Sequence, residues 1–328
     1  MMLLIRDLTT DLNQLPSKPM VLAVGNFDGL HLGHQAVIGR AVHIARQRGC
    51  LAAALTFRQH PRSILYPENP PEMLLPPEEK IRQIQQLGVE LLVFLDFTKE
   101  LAEMSAEEFI GHVLCEELHI AQIVVGENFG FGKGRRGCPA MLKEQGGSLG
   151  FQVTVIPSVR IGDQVVSSTL IRRLLLEGQV RQAGVLLNRE YKIVAEVIRG
   201  DERGRQMGFP TANLKIDKQL VPFDGVYAAW VVCEGKRYAG MVNIGQRPTF
   251  AGASKSVEIH LIDFTGDLYG QSLSVHFVER IRDERLFPSH EELKKELVED
   301  RRRVLDILQQ RSSSQVACRD RLDGLETL

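Results

Sequence analysis

The chain has 328 residues, of which 44% are hydrophobic and 25% are charged, and its formal net charge is −1. This balance excludes a disordered chain, and near-neutrality excludes the long-range attraction to nucleic acid or anionic membrane that a basic protein has. The length predicts two domains, each with its own core. We therefore expect small-molecule substrates, with neither nucleic acid nor membrane as a partner.

The five cysteines are scattered without a CxxC pair, and no apolar run is long enough to span a bilayer. An odd number of scattered cysteines favours reduced thiols over a disulfide framework. These features predict a cytoplasmic protein, and they leave its oligomeric state open.

The first two thirds of the chain alternate short aliphatic runs with stretches of helical spacing, which is the pattern of a parallel sheet covered by helices. The predicted strands are residues 20–24, 51–57, 91–95, 120–125 and 151–156. The clearest helix follows Ser105, which forms a predicted capping box with Glu108. Its apolar face carries Phe109, Val113 and Leu114. The sequence thus predicts an α/β fold with a Rossmann-like parallel sheet for this part.

After about residue 183 the pattern changes to strand-like segments joined by turns that contain Gly and Pro, with little helix between them. The predicted strands are residues 191–198, 225–232, 236–242, 257–261 and 272–278. They predict a small antiparallel barrel or sandwich, and a capping box at Ser289 and Glu292 then begins a long last helix that should pack on it. Residues from Arg311 onward lack periodicity. We therefore predict domains 1–185 and 186–310, followed by a mobile tail at 311–328.

A glycine-rich turn, GNFDGLHLGH at 25–34, follows the strand at 20–24 and leads into a helix. A helix N-terminus presents unpaired amides and the positive end of the helix dipole, which suit a phosphate. Because His31 and His34 are three residues apart, both rings should lie on one face. On its own the pattern is weak, since such a pair can be structural or can bind a metal. The absence of GxGxxG disfavours a hydride-transfer enzyme.

The segment VSSTLIR at 166–172 places three hydroxyl side chains ahead of a helix, with Arg172 one turn inside it. As a bare pattern this is an N-cap followed by a solvated arginine. The hydroxyls and the planar guanidinium are also suited to binding phosphate oxygens. Both interpretations stay open on this segment alone.

The barrel region contains GRQMGFPTANL at 204–214, in which an extended segment projects Thr211 and Asn213 to one side. Two neutral oxygen ligands suit a magnesium ion that also binds nucleotide phosphates and water. Farther along, Glu258 should face a cleft while Val257 and Ile259 face the core, which makes it the best candidate base. A surface turn and an exposed strand glutamate are the alternatives.

Taken together, these motifs resemble those of the bifunctional riboflavin kinase and FAD synthetase family. HxGH and SSTxIR are similar to the nucleotidylyltransferase signature, GENFGFGKG at 126–134 resembles the flavin-side loop of FAD synthetases, and GFPTANL resembles riboflavin kinases. Asn128 stands where many members have Asp, and Gly130 where many have Arg. Arg58 and Gln59 depart from the family's TFEPHP segment. The resemblance covers residues of about 15–183 and 186–310.

The resemblance implies two activities: phosphorylation of riboflavin to FMN, and adenylylation of FMN to FAD with release of pyrophosphate. ATP is the implied co-substrate of both and Mg²⁺ the implied cofactor. The adenylylating site would consist of Gly25, Asn26, Phe27, Asp28, Gly29, His31, Gly33, His34, Ser167, Ser168, Thr169 and Arg172. The kinase site would consist of Gly204, Arg205 and Gly208 for ATP, Thr211 and Asn213 for the metal, and Glu258 as base. Flavin contacts would come from Phe57, Asn128, Phe129, Phe131, Arg282 and Phe287.

Two other functions remain open. A single-activity adenylyl- or cytidylyltransferase for another phosphorylated substrate would also carry HxGH, but the PTAN segment counts against it. A flavin-binding carrier with decayed sites would not require intact histidines at 31 and 34 or an intact Glu258.

Overall fold

The computed structural model describes residues 2–8, 10–199, 208–249 and 252–323. The chain divides into two compact units, Met1–Leu170 and Ile171–Leu328. The predicted boundary between residues 185 and 186 lies farther along the chain and stays a prediction. None of the helices in the described ranges is long and apolar enough to cross a bilayer.

The first unit contains a six-stranded parallel sheet, as the aliphatic runs predicted. Its strands are β1 (Leu3–Ile5), β2 (Met20–Val24), β3 (Leu51–Phe57), β4 (Leu91–Leu95), β5 (Ile120–Gly126) and β6 (Gln152–Ile156), in the order β1-β4-β3-β2-β5-β6. The sequence did not predict β1, because three residues are too few to show a period. A short antiparallel pair follows, β7 (Arg160–Ile161) and β8 (Gln164–Val165).

The helices of this unit cover the sheet. They are α1 (Leu32–Arg48), α2 (Arg62–Leu65), α3 (Pro77–Gln86), α4 (Lys99–Glu103), α5 (Ala106–Glu108) and α6 (Pro139–Leu149). The predicted capping box is confirmed, since Ser105 Oγ accepts from the Glu108 amide at 3.1 Å and Glu108 Oε2 accepts from the Ser105 amide at 2.8 Å. Beyond α5 the chain continues as a π-helix, Phe109–Glu117, whose buried face carries the predicted apolar residues.

Neighbouring residues of the central strands alternate between two cores. Leu22 and Leu55 belong to one cluster, whereas Val21 and Ala54 belong to the other. Because both faces of the sheet are buried, the sequences of these strands are continuous apolar runs. The loops that follow the strands lie at the carboxyl edge of the sheet.

The second unit is built on a closed six-stranded antiparallel barrel, which confirms the barrel prediction. Its strands are β9 (Tyr191–Ile198), β10 (Ala212–Lys215), β11 (Gly225–Cys233), β12 (Lys236–Thr249), β13 (Gly252–Leu261) and β14 (Ser272–Arg282), in the order β10-β13-β12-β11-β14-β9. Two helices precede the barrel: α7 (Ser168–Leu176), which crosses the division, and α8 (Val180–Leu187).

The last helix, α9 (His290–Asp323), begins where the sequence predicted, with Ser289 Oγ accepting from the Glu292 amide at 3.2 Å. Val304 and Leu308 of α9 pack with Phe209 and Val278 of the barrel unit. The helix continues past Arg311, so most of the predicted aperiodic tail is helical up to Asp323. The mobility of that tail stays a prediction.

Candidate active sites

The glycine-rich turn between β2 and α1 has an unusual backbone. Phe27, Gly29 and Leu30 all have positive φ, at 47°, 82° and 43°. Left-handed conformations are costly for residues with side chains. Here the rings and methyls of Phe27 and Leu30 are buried, with 1% exposure each, and this packing holds the turn in its strained form.

His31 and His34 lie together at the start of α1, as their spacing predicted. His31 is the N-cap residue, and its Nδ1 atom accepts a hydrogen bond from the His34 amide at 3.3 Å. The two rings stack with centroids 3.6 Å apart. Since Nδ1 of His31 accepts, the proton of the neutral ring lies on Nε2. That N–H is suited to donating to a phosphate oxygen.

Asn26 is fixed through its main chain. Its carbonyl oxygen accepts from Thr56 Oγ1 at 2.9 Å and from Lys80 Nζ at 3.1 Å. Its side-chain Oδ1 is buried and has no hydrogen-bond partner among the described residues. An unpaired buried acceptor is costly, so this atom is suited to a donor on a ligand.

Two predicted phosphate-binding residues in this turn have their side chains inside the protein. The Phe27 ring belongs to the core, and the buried Asp28 carboxylate accepts from the Leu74 amide at 3.1 Å. Only their main-chain groups are therefore suited to a nucleotide. The glycines at 25, 29 and 33 leave the backbone of the same turn without side chains.

The structure brings the SST segment to this turn, although the two lie 140 residues apart. Ser168 Oγ donates to the Asp28 carbonyl at 2.9 Å. Ser167 Oγ accepts from the Leu170 amide at 3.2 Å, which is the N-cap contact that the sequence predicted as one alternative. Thr169 follows within α7, and Arg172 lies one turn farther along it, beyond the division between the units.

The loop after β5 carries the predicted flavin contacts in two different environments. Phe129 and Phe131 stack with centroids 5.4 Å apart, but Phe131 is only 7% exposed and packs against Phe109 in the core. Phe131 thus supports Phe129 by packing. Asn128 Nδ2 donates to Ser158 Oγ at 3.1 Å.

Arg135, which was not among the predicted site residues, occupies the space beside Gly130. A Cβ atom at Gly130 would lie 2.8 Å from Arg135 Nε, and the same guanidinium donates to the Asn128 carbonyl at 3.3 Å. A guanidinium is therefore present at this loop although position 130 is glycine.

The segment after β3 is held by its neighbours. Phe57 packs edge-on against Phe97 at 5.2 Å, Arg58 pairs with Asp96 at 3.2 Å, and Gln59 donates to the Phe97 carbonyl at 3.3 Å. The two departures from the family pattern thus contact the chain that follows β4.

The kinase candidates gather on the barrel. Glu258 of β13 lies opposite Asn213 of β10 and opposite Asn243 of β12. Thr211 Oγ1 donates to Glu258 Oε2 at 3.4 Å. The flanking Val257 and Ile259 are buried, which confirms the predicted alternation. Gly208 has a φ of 83°, whereas Gly204 and Arg205 lie outside the described residues.

Asn243 and Glu284 are further members of this cluster, and the sequence alone assigned neither of them a role. Asn243 hydrogen-bonds to Glu284. Burial raises the pKa of the Glu284 carboxyl, and the nearby charges of Asp224 and Glu258 raise it further. The cross-strand register that places Asn243 beside Glu258 has no local sequence signal.

Arg282 and Phe287 stand before α9. The Arg282 guanidinium pairs with the fully buried Asp300, at 3.0 Å from Nε and 2.7 Å from the terminal nitrogen, and also with Glu296 at 3.4 Å. Arg282 therefore anchors this segment to α9. Phe287 lies under the guanidinium groups of Arg282 and Arg285, 5.7 and 4.9 Å from its ring centroid.

The donor set at Thr211 and Asn213 fits magnesium. Among the described residues there is no group of three or more His, Cys, Asp or Glu side chains that could hold a metal. Magnesium usually keeps several waters and needs few protein ligands, so a hydroxyl and an amide oxygen beside a carboxylate are sufficient.

A parallel α/β unit with an HxGH turn at a helix N-terminus, joined to a barrel with PTAN and a facing glutamate, defines a two-domain nucleotide-dependent transferase. Family models agree: FAD synthetase matches residues 14–170 and riboflavin kinase matches residues 187–308. The chain is 35% identical to the bifunctional riboflavin kinase/FMN adenylyltransferase of Escherichia coli, over 88% of this chain and 93% of that protein. It is 38% identical to the enzyme of the same name from Bacillus subtilis, over 87% and 91%.

A crystal structure from Streptococcus pneumoniae, titled a macrolide-efflux protein, matches with a TM-score of 0.84 and 31% identity, over 92% of this chain and 97% of that one. The chain therefore belongs to the family of bifunctional riboflavin kinases/FMN adenylyltransferases. It is an enzyme with both activities and makes FMN and FAD.

Proposed function

We propose that riboflavin is phosphorylated on the barrel, at Thr211, Asn213 and Glu258, and that FMN is adenylylated in the first unit, at the HxGH turn. The single observation that carries the proposal is the register of Glu258, which stands between Asn213 and Asn243 with Thr211 hydrogen-bonded to it. A carboxylate beside two neutral oxygen ligands is the arrangement that a base next to a metal-bound phosphate requires.

In the kinase reaction, Glu258 accepts the proton of the riboflavin 5′-hydroxyl as that oxygen attacks the γ-phosphorus of ATP. The bond between the γ-phosphorus and the bridging oxygen breaks, and ADP leaves. Thr211 and Asn213 would hold a magnesium ion, which when bound neutralises charge on the phosphates. Asn243 lies opposite Glu258 on the neighbouring strand β12 and hydrogen-bonds to Glu284. These two side chains keep the surroundings of Glu258 polar.

In the adenylyl transfer, an FMN phosphate oxygen attacks the α-phosphorus of a second ATP and pyrophosphate leaves. No covalent enzyme intermediate is needed, because a phosphate monoester oxygen is already a nucleophile. His31 and His34 donate to phosphate oxygens as charge moves toward pyrophosphate. Ser168, Thr169 and Arg172 are assigned to the β- and γ-phosphates, and Phe129 and Phe57 to the flavin side.

The same proposal includes ATP as the co-substrate of both reactions, Mg²⁺ as the cofactor and the cytoplasm as the compartment. The turn, whose buried Asn26 Oδ1 has no hydrogen-bond partner within the described ranges, and the helix N-terminus of α1 support a bound nucleotide. The neutral oxygen ligands of Thr211 and Asn213 support magnesium.

The assignment is tested by incubating purified protein with riboflavin, ATP and Mg²⁺ and separating the flavins by chromatography. Glu258→Gln should stop FMN formation but still convert added FMN to FAD. His34→Ala should make FMN and accumulate it. If either folded variant lost both steps, the two reactions would share a site and the assignment would be wrong.

A further inference from the structure

A buried lysine stands beneath the adenylylating turn. Lys80, on α3, is only 3% exposed, and α3 carries none of the sequence motifs. Its Nζ atom donates to the carbonyl oxygen of Asn26 at 3.1 Å and to that of Phe57 at 2.9 Å. One ammonium group therefore joins the loop after β2 to the end of β3.

Those two carbonyls belong to segments that the proposed function assigns to the substrates. Asn26 lies in the HxGH turn, and Phe57 begins the segment assigned to the flavin side. The Asn26 carbonyl also accepts from Thr56 Oγ1 at 2.9 Å, so two donors fix one oxygen. The main-chain position of Asn26 in turn sets the position of its buried Oδ1 and of the strained residues that follow it.

Burial makes this lysine costly. Desolvation lowers the pKa of the Lys80 ammonium to about 8, and the charge of the buried Asp28 offsets only part of that effect. An apolar side chain would fill the same space beside the Phe94 ring without that penalty. Buried ionisable groups that cost stability are often retained for function.

We propose that Lys80 is a positioning residue for adenylyl transfer, which holds Asn26 and Phe57 in the register that brings the α-phosphate of ATP and the FMN phosphate into line. It acts through the two main-chain carbonyls and does not touch substrate. The inference rests on the assignment of adenylyl transfer to the HxGH turn. A displacement of about 1 Å in such a turn is enough to cost roughly a hundredfold in rate.

The test uses the full-length protein, in which urea unfolding reports on folding of the first unit and the kinase reaction is an internal control for the amount of active enzyme. Lys80→Met should lower kcat for FAD formation by at least about tenfold, while KM for ATP and the rate of FMN formation change by less than about threefold. The matched control is Ile84→Ala, one turn along the same buried face of α3, which removes core packing but no hydrogen-bond donor to the Asn26 or Phe57 carbonyl. It should lower stability but leave kcat for FAD formation within about twofold of the parent.

Thr56→Val is the second variant, because it removes the other donor to the Asn26 carbonyl in a nearly isosteric way. It should also lower kcat severalfold, and combined with Lys80→Met the losses should be less than additive, since both act on one oxygen. Full kcat in Lys80→Met, or an equal loss of kcat in Ile84→Ala, would overturn the proposal. If Lys80→Met does not fold, Thr56→Val decides, and an unchanged kcat there overturns it.

A failure of the proposed function itself would look different. In that case His31→Ala and His34→Ala would leave FAD formation intact, whatever the effect of replacing Lys80.

Discussion

The imidazole ring of His31 stacks on the ring of His34, and Nδ1 of His31 accepts a hydrogen bond from the main-chain amide of His34. His31 therefore caps α1 and also fixes its own tautomer. The cap and the chemistry are two roles of one side chain, and substitutions can separate them.

His31→Asn should keep the cap, because asparagine is a good N-cap residue, while the imidazole N–H is lost. We expect the free energy of unfolding to change by less than about 0.5 kcal/mol. FAD formation should fall by roughly a hundredfold, with FMN formation unchanged. Urea unfolding and flavin chromatography measure the two effects. His31→Ala, which loses the cap as well, is the comparison, and full FAD synthesis in His31→Asn would show that only capping matters.

Glu258→Gln should lower kcat for FMN formation by roughly 10²–10⁴, the range for a lost general base. Adenylylation of added FMN should be unaffected. The matched control is Glu196→Gln on β9, which is an exposed glutamate on a strand of the same barrel. Equal FMN production by the Glu258 variant and the control would remove Glu258 from the reaction.

Asn213→Ala should raise the magnesium concentration at which the kinase step is half-maximal, because a lost ligand misplaces the transferring phosphate. The measurement is a magnesium titration of FMN formation at fixed ATP. FAD formation from FMN, titrated in the same way, is the internal control. An unchanged rate at limiting magnesium would exclude Asn213 as a ligand.

The stability of the first unit should depend on pH through Lys80. The folded-state pKa is about 8 and the unfolded value is 10.5, so the unfolded chain binds more protons between these pH values. The free energy of unfolding of the parent protein, minus that of Lys80→Met, should therefore be lowest below about pH 8. It should rise by about 3 kcal/mol toward pH 10.5. Asp28 is the charged neighbour, and its coulombic interaction raises the Lys80 pKa against the larger effect of burial. Urea unfolding at several pH values checks the sign, and a difference that falls with pH would contradict it.

Residues 186–310 expressed alone should fold and convert riboflavin to FMN, since the kinase motifs lie within them. That fragment, however, starts inside α8 and omits contacts with the barrel unit. It lacks the hydrogen bond from the Phe223 amide to the Leu175 carbonyl at 2.9 Å. It also lacks Val180, whose side chain is buried.

We therefore expect a fragment of residues 171–310 to be more stable, by about 2 kcal/mol or more from the recovered burial. Urea midpoints and FMN formation compare the two fragments. A folded 186–310 fragment without activity would mean that the kinase site needs residues from outside it.

The sequence by itself determined the two-part organisation and most of the elements. Buried parallel strands appear as aliphatic runs, capping boxes have a fixed spacing, and the Glu258 strand shows its alternation, because all of these follow from local backbone geometry. The HxGH and PTAN motifs are also local, since their residues lie within one turn or one extended segment.

The tertiary structure alone decided which distant residues meet. Barrel register places Asn243 beside Glu258, sheet order brings Ser168 to the Asp28 carbonyl, and helix packing places Lys80 under Asn26. It also turned the Phe131 ring into the core and extended α9 past Arg311. A lysine in a polar helix sequence carries no sign that it will be buried, because burial depends on how the helix is rotated against a sheet formed by residues far away in the chain.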